Sequence, residues 1–192
     1  MDAIRQFLST LLPLILGVVA IIYWRRHNQS ALKGFGFTFN RFLLRDFVVG
    51  LIITFLGMLG IFVVELLINA IEVAGTNFDI GVLGATFAQF TLYALIEEVL
   101  YRSLLLSGLV VVLRGNKWVA ILISAAMFGI IHLANPNASV VAAFGNALGG
   151  IIYGIAFLGA KNVWLPLGLH ISWNFSQALL GFPVSRRNIW DT

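Results

Sequence analysis

Residues 47–64 carry no charged side chain, and comparable apolar runs recur along most of this sequence. A helix needs ~20 mainly apolar residues to cross a bilayer. Lipid admits only backbones whose polar groups are satisfied internally, so runs of this kind restrict the chain to helices. Composition agrees. Of 192 residues, 60% are hydrophobic and only 10% charged, whereas a soluble domain is roughly a quarter charged. A globule this small cannot hide so much apolar surface, so the expected fold is all-α, a polytopic bundle of about six spans.

The expected spans are 7–24, 47–74, 82–113, 118–133, 138–160 and 163–182, bounded by polar or glycine-containing breaks. The first ends on Arg25-Arg26 rather than on a small-residue cleavage site, so it reads as a retained helix. The third is long and broken by Glu97, Glu98 and Arg102; it is either one tilted helix or a span followed by an interfacial helix. The fifth carries Gly145, Gly149, Gly150 and Gly154, two G-x-x-x-G steps that let helices approach closely. The organisation follows: residues 1–46 form a first span and basic connector, 47–81 a second span, 82–182 a helical core, and 183–192 a tail.

Charge gives orientation rather than a soluble partner. The net charge is +4, and the blander reading of this surplus is cationic flanks of spans, with lipid as partner and no nucleic acid. Arg25, Arg26, Lys33, Arg41 and Arg45 share the first connector. With six spans, the Arg114–Lys117 turn and Lys161 fall on that same side, which lysine and arginine mark as cytoplasmic. Both termini are then outside, and Arg186 and Arg187 stand against the rule. The expected location is an integral, multi-pass protein of the cell membrane. Cysteine is absent, which removes disulfides, thiolate metal sites and a cysteine nucleophile. The oligomeric state is not readable from the sequence.

Ionisable groups inside apolar runs are costly and mark function by default. Glu98 and Arg102 are i,i+4 neighbours with the acid N-terminal, so they can neutralise each other on one helix face. Glu97 points about 100° away and is left as a spare carboxylate, the type of group that serves as a general base. His170 and Asn174 share a face by the same spacing. His132 lies fifteen residues after Lys117 (132 − 117) and Glu97 seventeen before Arg114 (114 − 97). Antiparallel neighbours would bring these two to similar depth, about 20–25 Å from the basic turn. One cluster of Glu97, His132, His170 and Asn174 is therefore geometrically open to this chain. The competing structural reading makes the Glu98–Arg102 pair a helix tether and each histidine a hydrogen-bonded core residue. Glu65 has no partner by spacing.

The run Glu97-Glu98-x-x-x-Arg102, then Phe128-x-x-x-His132, then His170-x-x-x-Asn174, resembles the CPBP family of intramembrane proteases. That family includes enzymes that trim prenylated CAAX proteins, and proteins of bacteriocin processing and self-immunity. The resemblance covers roughly residues 84–180. It implies a membrane helical bundle with a polar intramembrane cavity. Glu97 would activate a water, His132 would help hold it, and His170 and Asn174 would stabilise the oxyanion. Glu98 and Arg102 would support the first glutamate's helix, and Asn146 would face the same cavity.

The resemblance leaves the metal open. Glu97, His132 and His170 could supply three ligands of a zinc site, but no H-E-x-x-H is present, and a glutamate-activated water without a cofactor is the preferred reading. No G-x-S-G or G-x-G-D motif occurs, and Asp2, Asp46, Asp79 and Asp191 lie near expected span ends or in tails. The function expected is endopeptidase cleavage of a membrane-associated protein or peptide, with prenylated substrates among the candidates. The alternatives are a non-catalytic immunity or scaffold protein of the same fold, and a proton-coupled carrier, for which no inverted repeat is evident.

Overall fold

The computed structural model describes residues 36–73, 75, 79–135, 139–182 and 184. The span expected at 7–24 and the residues Arg25, Arg26, Lys33, Arg186 and Arg187 lie outside these. Among the described residues the protein is all-helical. Helix α1 is Leu43–Leu67. Helix α2 (Ile80–Glu98) runs directly into a π-helical segment, Val99–Leu106, and then into α3 (Ser107–Val112). Helix α4 (Lys117–Ile131) ends in a 3-10 turn, His132–Ala134. It is followed by α5 (Val140–Ala160) and α6 (Trp164–Leu179).

Local chemistry sets these boundaries. Asp79 Oδ1 accepts from the backbone N–H groups of Gly81 and Val82 at 2.7 and 3.0 Å and starts α2. Asn116 and Ser139 do the same for α4 and α5 through Val119 N and Ala142 N. The Asn162 amide oxygen accepts from Trp164 N and Leu165 N at the start of α6. Each satisfies donors that the first helical turn leaves unpaired. Helix α1 closes with Ala70 N donating to Glu65 O and Asn69 in the left-handed region, a Schellman ending.

Among the described residues, three helices are long and apolar enough to cross a membrane: α1, α4 with its 3-10 turn, and α5. The third and sixth expected spans differ from that pattern. The third is continuous from Ile80 to Val112 through the π segment, so it does not break into two helices. Helix α6 has 16 residues, short of a full span. Every residue from Pro166 to Ser172 is buried, so α6 lies inside the bundle, packed against α1, α2 and α5.

Glycines fix the crossings. A Cβ on Gly50 would lie 2.7 Å from Leu169 N, and one on Gly168 would strike the Phe47 carbonyl. Helices α1 and α6 therefore meet backbone to backbone, in parallel, since Asp46 meets Asn162 and Phe62 meets Phe182 further along. Helices α4 and α5 are antiparallel: Gly129 faces Ala143 and Ala147, Gly150 faces Ala125, and Gly154 faces Ile121. Of the two G-x-x-x-G steps, Gly150–Gly154 makes this contact. Gly145 faces open space, and Gly149 meets only Tyr153 of its own helix. These directions gather the starts of α1, α4 and α6 and the end of α5 at one end of the bundle. Arg41, Arg45, Lys117 and Lys161 stand there.

Candidate active site

Glu97 and Glu98 are the last two residues of α2, and the π segment begins at the next position. A π turn widens the helix and releases carbonyls to outside partners. Here Tyr101 O accepts from Ser124 Oγ of α4 at 3.1 Å, and Arg102 O accepts from Ser107 Oγ at 3.3 Å. The segment is thereby held against α4, with the side chains of Arg102 and Ser103 buried.

Glu98 is fully buried at 0% exposure. Its Oε1 accepts a hydrogen bond from His170 Nδ1 of α6 at 2.9 Å and lies 3.1 Å from Arg102 Nη1. The arginine contact is close but poorly aligned. Neither terminal nitrogen of Arg102 makes a hydrogen bond, and neither does Glu98 Oε2, so the attraction is coulombic. The guanidinium is instead covered by aromatic faces. Its carbon stands 4.5 Å from the Phe128 ring centroid and 5.0 Å from that of Tyr153, within cation–π range.

His170 is held on three sides. Tyr153 of α5 stacks on its ring, with centroids 4.8 Å apart and planes at 19°. Phe128 of α4 meets the ring edge-on at 5.9 Å. Glu98 accepts the hydrogen bond from Nδ1–H. The other nitrogen, Nε2, lies 3.6 Å from Glu97 Oε2. The Glu97 side chain is 31% exposed, against 0% for Glu98 and 6% for His170. Of the four ionisable groups Glu97, Glu98, Arg102 and His170, only Glu97 reaches the surroundings.

His132 sits at the start of the 3-10 turn. Its Nδ1 lies 2.6 Å from Phe128 O. A carbonyl oxygen only accepts, so Nδ1 carries a proton, and in the neutral ring Nε2 presents the lone pair. Its ring contacts Phe128 at 4.6 Å, so Phe128 stands between the two histidines. Asn174 lies one turn beyond His170 and is half-buried. Asn146 is also half-buried, and its amide donates to Ala142 O of its own helix at 2.9 Å. Glu65, half-buried near the end of α1, stays apart from this cluster.

The structure thus brings Glu97, Glu98, Arg102 and His170 into direct contact and joins His132 to them through Phe128. The centre is a packed cluster, because the rings of Phe128 and Tyr153 fill the space between its charged groups. Among the described residues, no three His, Asp or Glu side chains converge to hold a metal ion. As placed, Glu97, His132 and His170 do not form a shared ion site.

Two features were not read from the sequence. Glu98 contacts the histidine more closely than Glu97 does. Tyr153 stacks on that histidine. The signal for Tyr153 was its place with Asn146, Gly150 and Phe157 on one helical face of α5.

No curated protein and no solved structure matches the chain. The sequence profile of the type II CAAX prenyl endopeptidases, Rce1-like, matches residues 79–176, just over half of the chain. The match starts at the cap of α2 and ends within α6, so it contains every residue of the cluster. This chain is a membrane protein that belongs to the Rce1-like family of type II CAAX prenyl endopeptidases, a protease family.

Proposed function

We propose that this protein is an intramembrane endopeptidase in which Glu97 activates the water that attacks a peptide bond. The observation that carries the reading is the contrast between the two adjacent glutamates. Glu98 is sealed against Arg102 and His170, while Glu97 is partly exposed and 3.6 Å from His170 Nε2. A carboxylate kept only as a tether has no reason to face outward beside a histidine whose far side is already anchored.

In this reading Glu97 takes a proton from water as the water oxygen bonds to the scissile carbonyl carbon. His132 offers its Nε2 lone pair to the second O–H of the same water, the role open to it while Nδ1–H is bound to Phe128 O. The carbonyl oxygen becomes an oxyanion, stabilised by the Asn174 amide and by His170. Nδ1–H already donates to Glu98, so His170 donates through Nε2 only as an imidazolium. The C–N bond then breaks, and the leaving amine receives the proton held by Glu97. Glu98 and Arg102 keep His170 oriented.

The substrate class is a membrane-associated protein or peptide. The family description supports a prenylated C-terminal segment. His170 lies six residues into α6 (170 − 164), about 9 Å along that helix from the basic end of the bundle. That is nearer than straight-helix counting from Lys117 or Arg114 gives for His132 and Glu97, and suits a substrate entering from the cytoplasmic leaflet. A multi-pass arrangement in the cell membrane, with 7–24 as a further span, belongs to this reading. So does chemistry that requires no metal. The test is cleavage of prenylated and unmodified peptides by the purified protein in detergent. Selective cleavage of prenylated peptides near the C-terminus supports the substrate class. Failure to cleave any peptide, alongside Glu97→Gln retaining cellular function, would favour a binding or immunity role.

A further inference from the structure

A second feature of the bundle lies at its basic end and shares no residue with the Glu97–His170 cluster. A groove of about 670 Å³ opens between the first turns of α1 and the last turns of α5. Its two walls change character in the same direction. At the helix ends the lining is polar, with Asn40, Arg45, Asp46 and Asn162. Deeper in, about two turns along α1, it becomes apolar with Val49, Ile155 and Ala156. Both wall helices are long and apolar enough to cross a membrane, so the polar end meets headgroups and the apolar end meets acyl chains.

The charge at the mouth is unbalanced. Arg45 donates through Nε and Nη2 to Asp46 Oδ1 at 2.9 and 2.7 Å. The other carboxylate oxygen of Asp46 accepts from Asn162 Nδ2 at 2.6 Å. Among the described lining residues Asp46 is the only carboxylate, and both of its oxygens are already engaged. The Arg45 side chain is nevertheless 63% exposed. Its guanidinium and that of Arg41 lie over the same Phe42 ring, at 4.5 and 4.7 Å. Lys161 stands in the turn between the lining residues Ala160 and Asn162. Among the described residues, Arg41 and Lys161 have no acidic partner around this amphipathic groove.

We propose that this groove is a binding site for an anionic phospholipid, its phosphate at Arg41, Arg45 and Lys161 and one acyl chain along Val49, Ile155 and Ala156. A soluble anion would satisfy the cations but leave the apolar wall uncovered. A zwitterionic lipid would cover the wall but bring a cation of its own to the mouth. Basic pockets between spanning helices on the cytoplasmic side suit such headgroups.

The test is native mass spectrometry of the purified protein in neutral detergent, titrated separately with phosphatidylglycerol, phosphatidylcholine and glycerol phosphate. Two variants leave the Asp46 network intact. Gly159 lines the groove, and a Cβ there meets no atom within 4 Å, so Gly159→Leu fills the space without moving backbone. Arg41→Gln/Lys161→Gln removes the uncompensated charge. Thermal unfolding of both variants, matching wild type, shows that the fold is kept. Phosphatidylglycerol is expected to be retained in preference to phosphatidylcholine. Gly159→Leu should abolish retention, and the double variant should weaken it about thirtyfold, roughly fivefold for each basic side chain. Equal binding of the two lipids, persistence in Gly159→Leu, or binding of glycerol phosphate equal to that of phosphatidylglycerol would each overturn the proposal. Peptide cleavage is not needed for any arm.

Discussion

His170 Nδ1 lies 2.9 Å from Glu98 Oε1, joining the centre of α6 to the end of α2 in a contact between two buried side chains. The bond fixes which ring nitrogen carries a proton and which faces Glu97. Replacing Glu98 with glutamine keeps the shape but removes the charge. Cleavage is expected to fall by about 10²–10⁴, by analogy with other carboxylate–histidine pairs. The check is a comparison of kcat for the two proteins, together with ¹⁵N shifts of the His170 ring. Unchanged shifts would show that Glu98 does not orient the imidazole.

Arg102 gives a stability prediction. Removing one partner of a buried ion pair leaves the other uncompensated, at a cost of about 3–5 kcal/mol, whereas removing both is often nearly neutral. Arg102→Met should therefore destabilise strongly, and Glu98→Gln/Arg102→Met should recover most of the loss. Unfolding of both variants in detergent measures the coupling. Additive effects would mean that the 3.1 Å contact contributes nothing.

Tyr153 acts on His170 through its ring face. Tyr153→Phe keeps the stacked ring and should leave cleavage within about threefold of wild type. Tyr153→Leu removes the aromatic stacking, worth about 0.5–1.5 kcal/mol, and frees the imidazole to tilt. A drop of about tenfold in kcat with little change in KM is expected, with rescue by phenylalanine. A parallel loss in both variants would assign the effect to the hydroxyl instead.

The α1–α6 crossing depends on two glycines at the contact. Gly168→Leu drives a side chain into the Phe47 carbonyl and should cost about 3 kcal/mol or prevent folding. Gly57→Leu, on the open face of α1 with nothing within 4 Å of its Cβ, should change stability by less than about 0.5 kcal/mol. Thermal midpoints of the pair separate backbone contact from a general intolerance of leucine.

These residues also show where sequence reasoning works and where it stops. Glu98 and Arg102 could be paired from their spacing because i,i+4 neighbours meet whatever the rest of the chain does. The same geometry separated Glu97 from that pair. The α4–α5 crossing was partly legible in Gly150 and Gly154. Spacing along one helix says nothing of partners on another, so Glu98 read as support for the helix of Glu97, or as a helix-to-helix tether with no named partner, rather than as the anchor of His170. Gly50 and Gly168 form no local motif; their meaning exists only once α1 and α6 lie side by side. The sixth span read as a full crossing because residues 163–182 are mainly apolar. Its interior position came from packing against three neighbours, which composition does not encode.

The central claim is that Glu97, rather than its buried neighbour, activates the attacking water. The most direct measurement is turnover of a cleaved peptide by wild type and Glu97→Gln, each with and without a strong chelator. The account predicts turnover by wild type that the chelator leaves unchanged, and at least about a thousandfold loss in Glu97→Gln with peptide binding retained. Cleavage surviving in Glu97→Gln would contradict it.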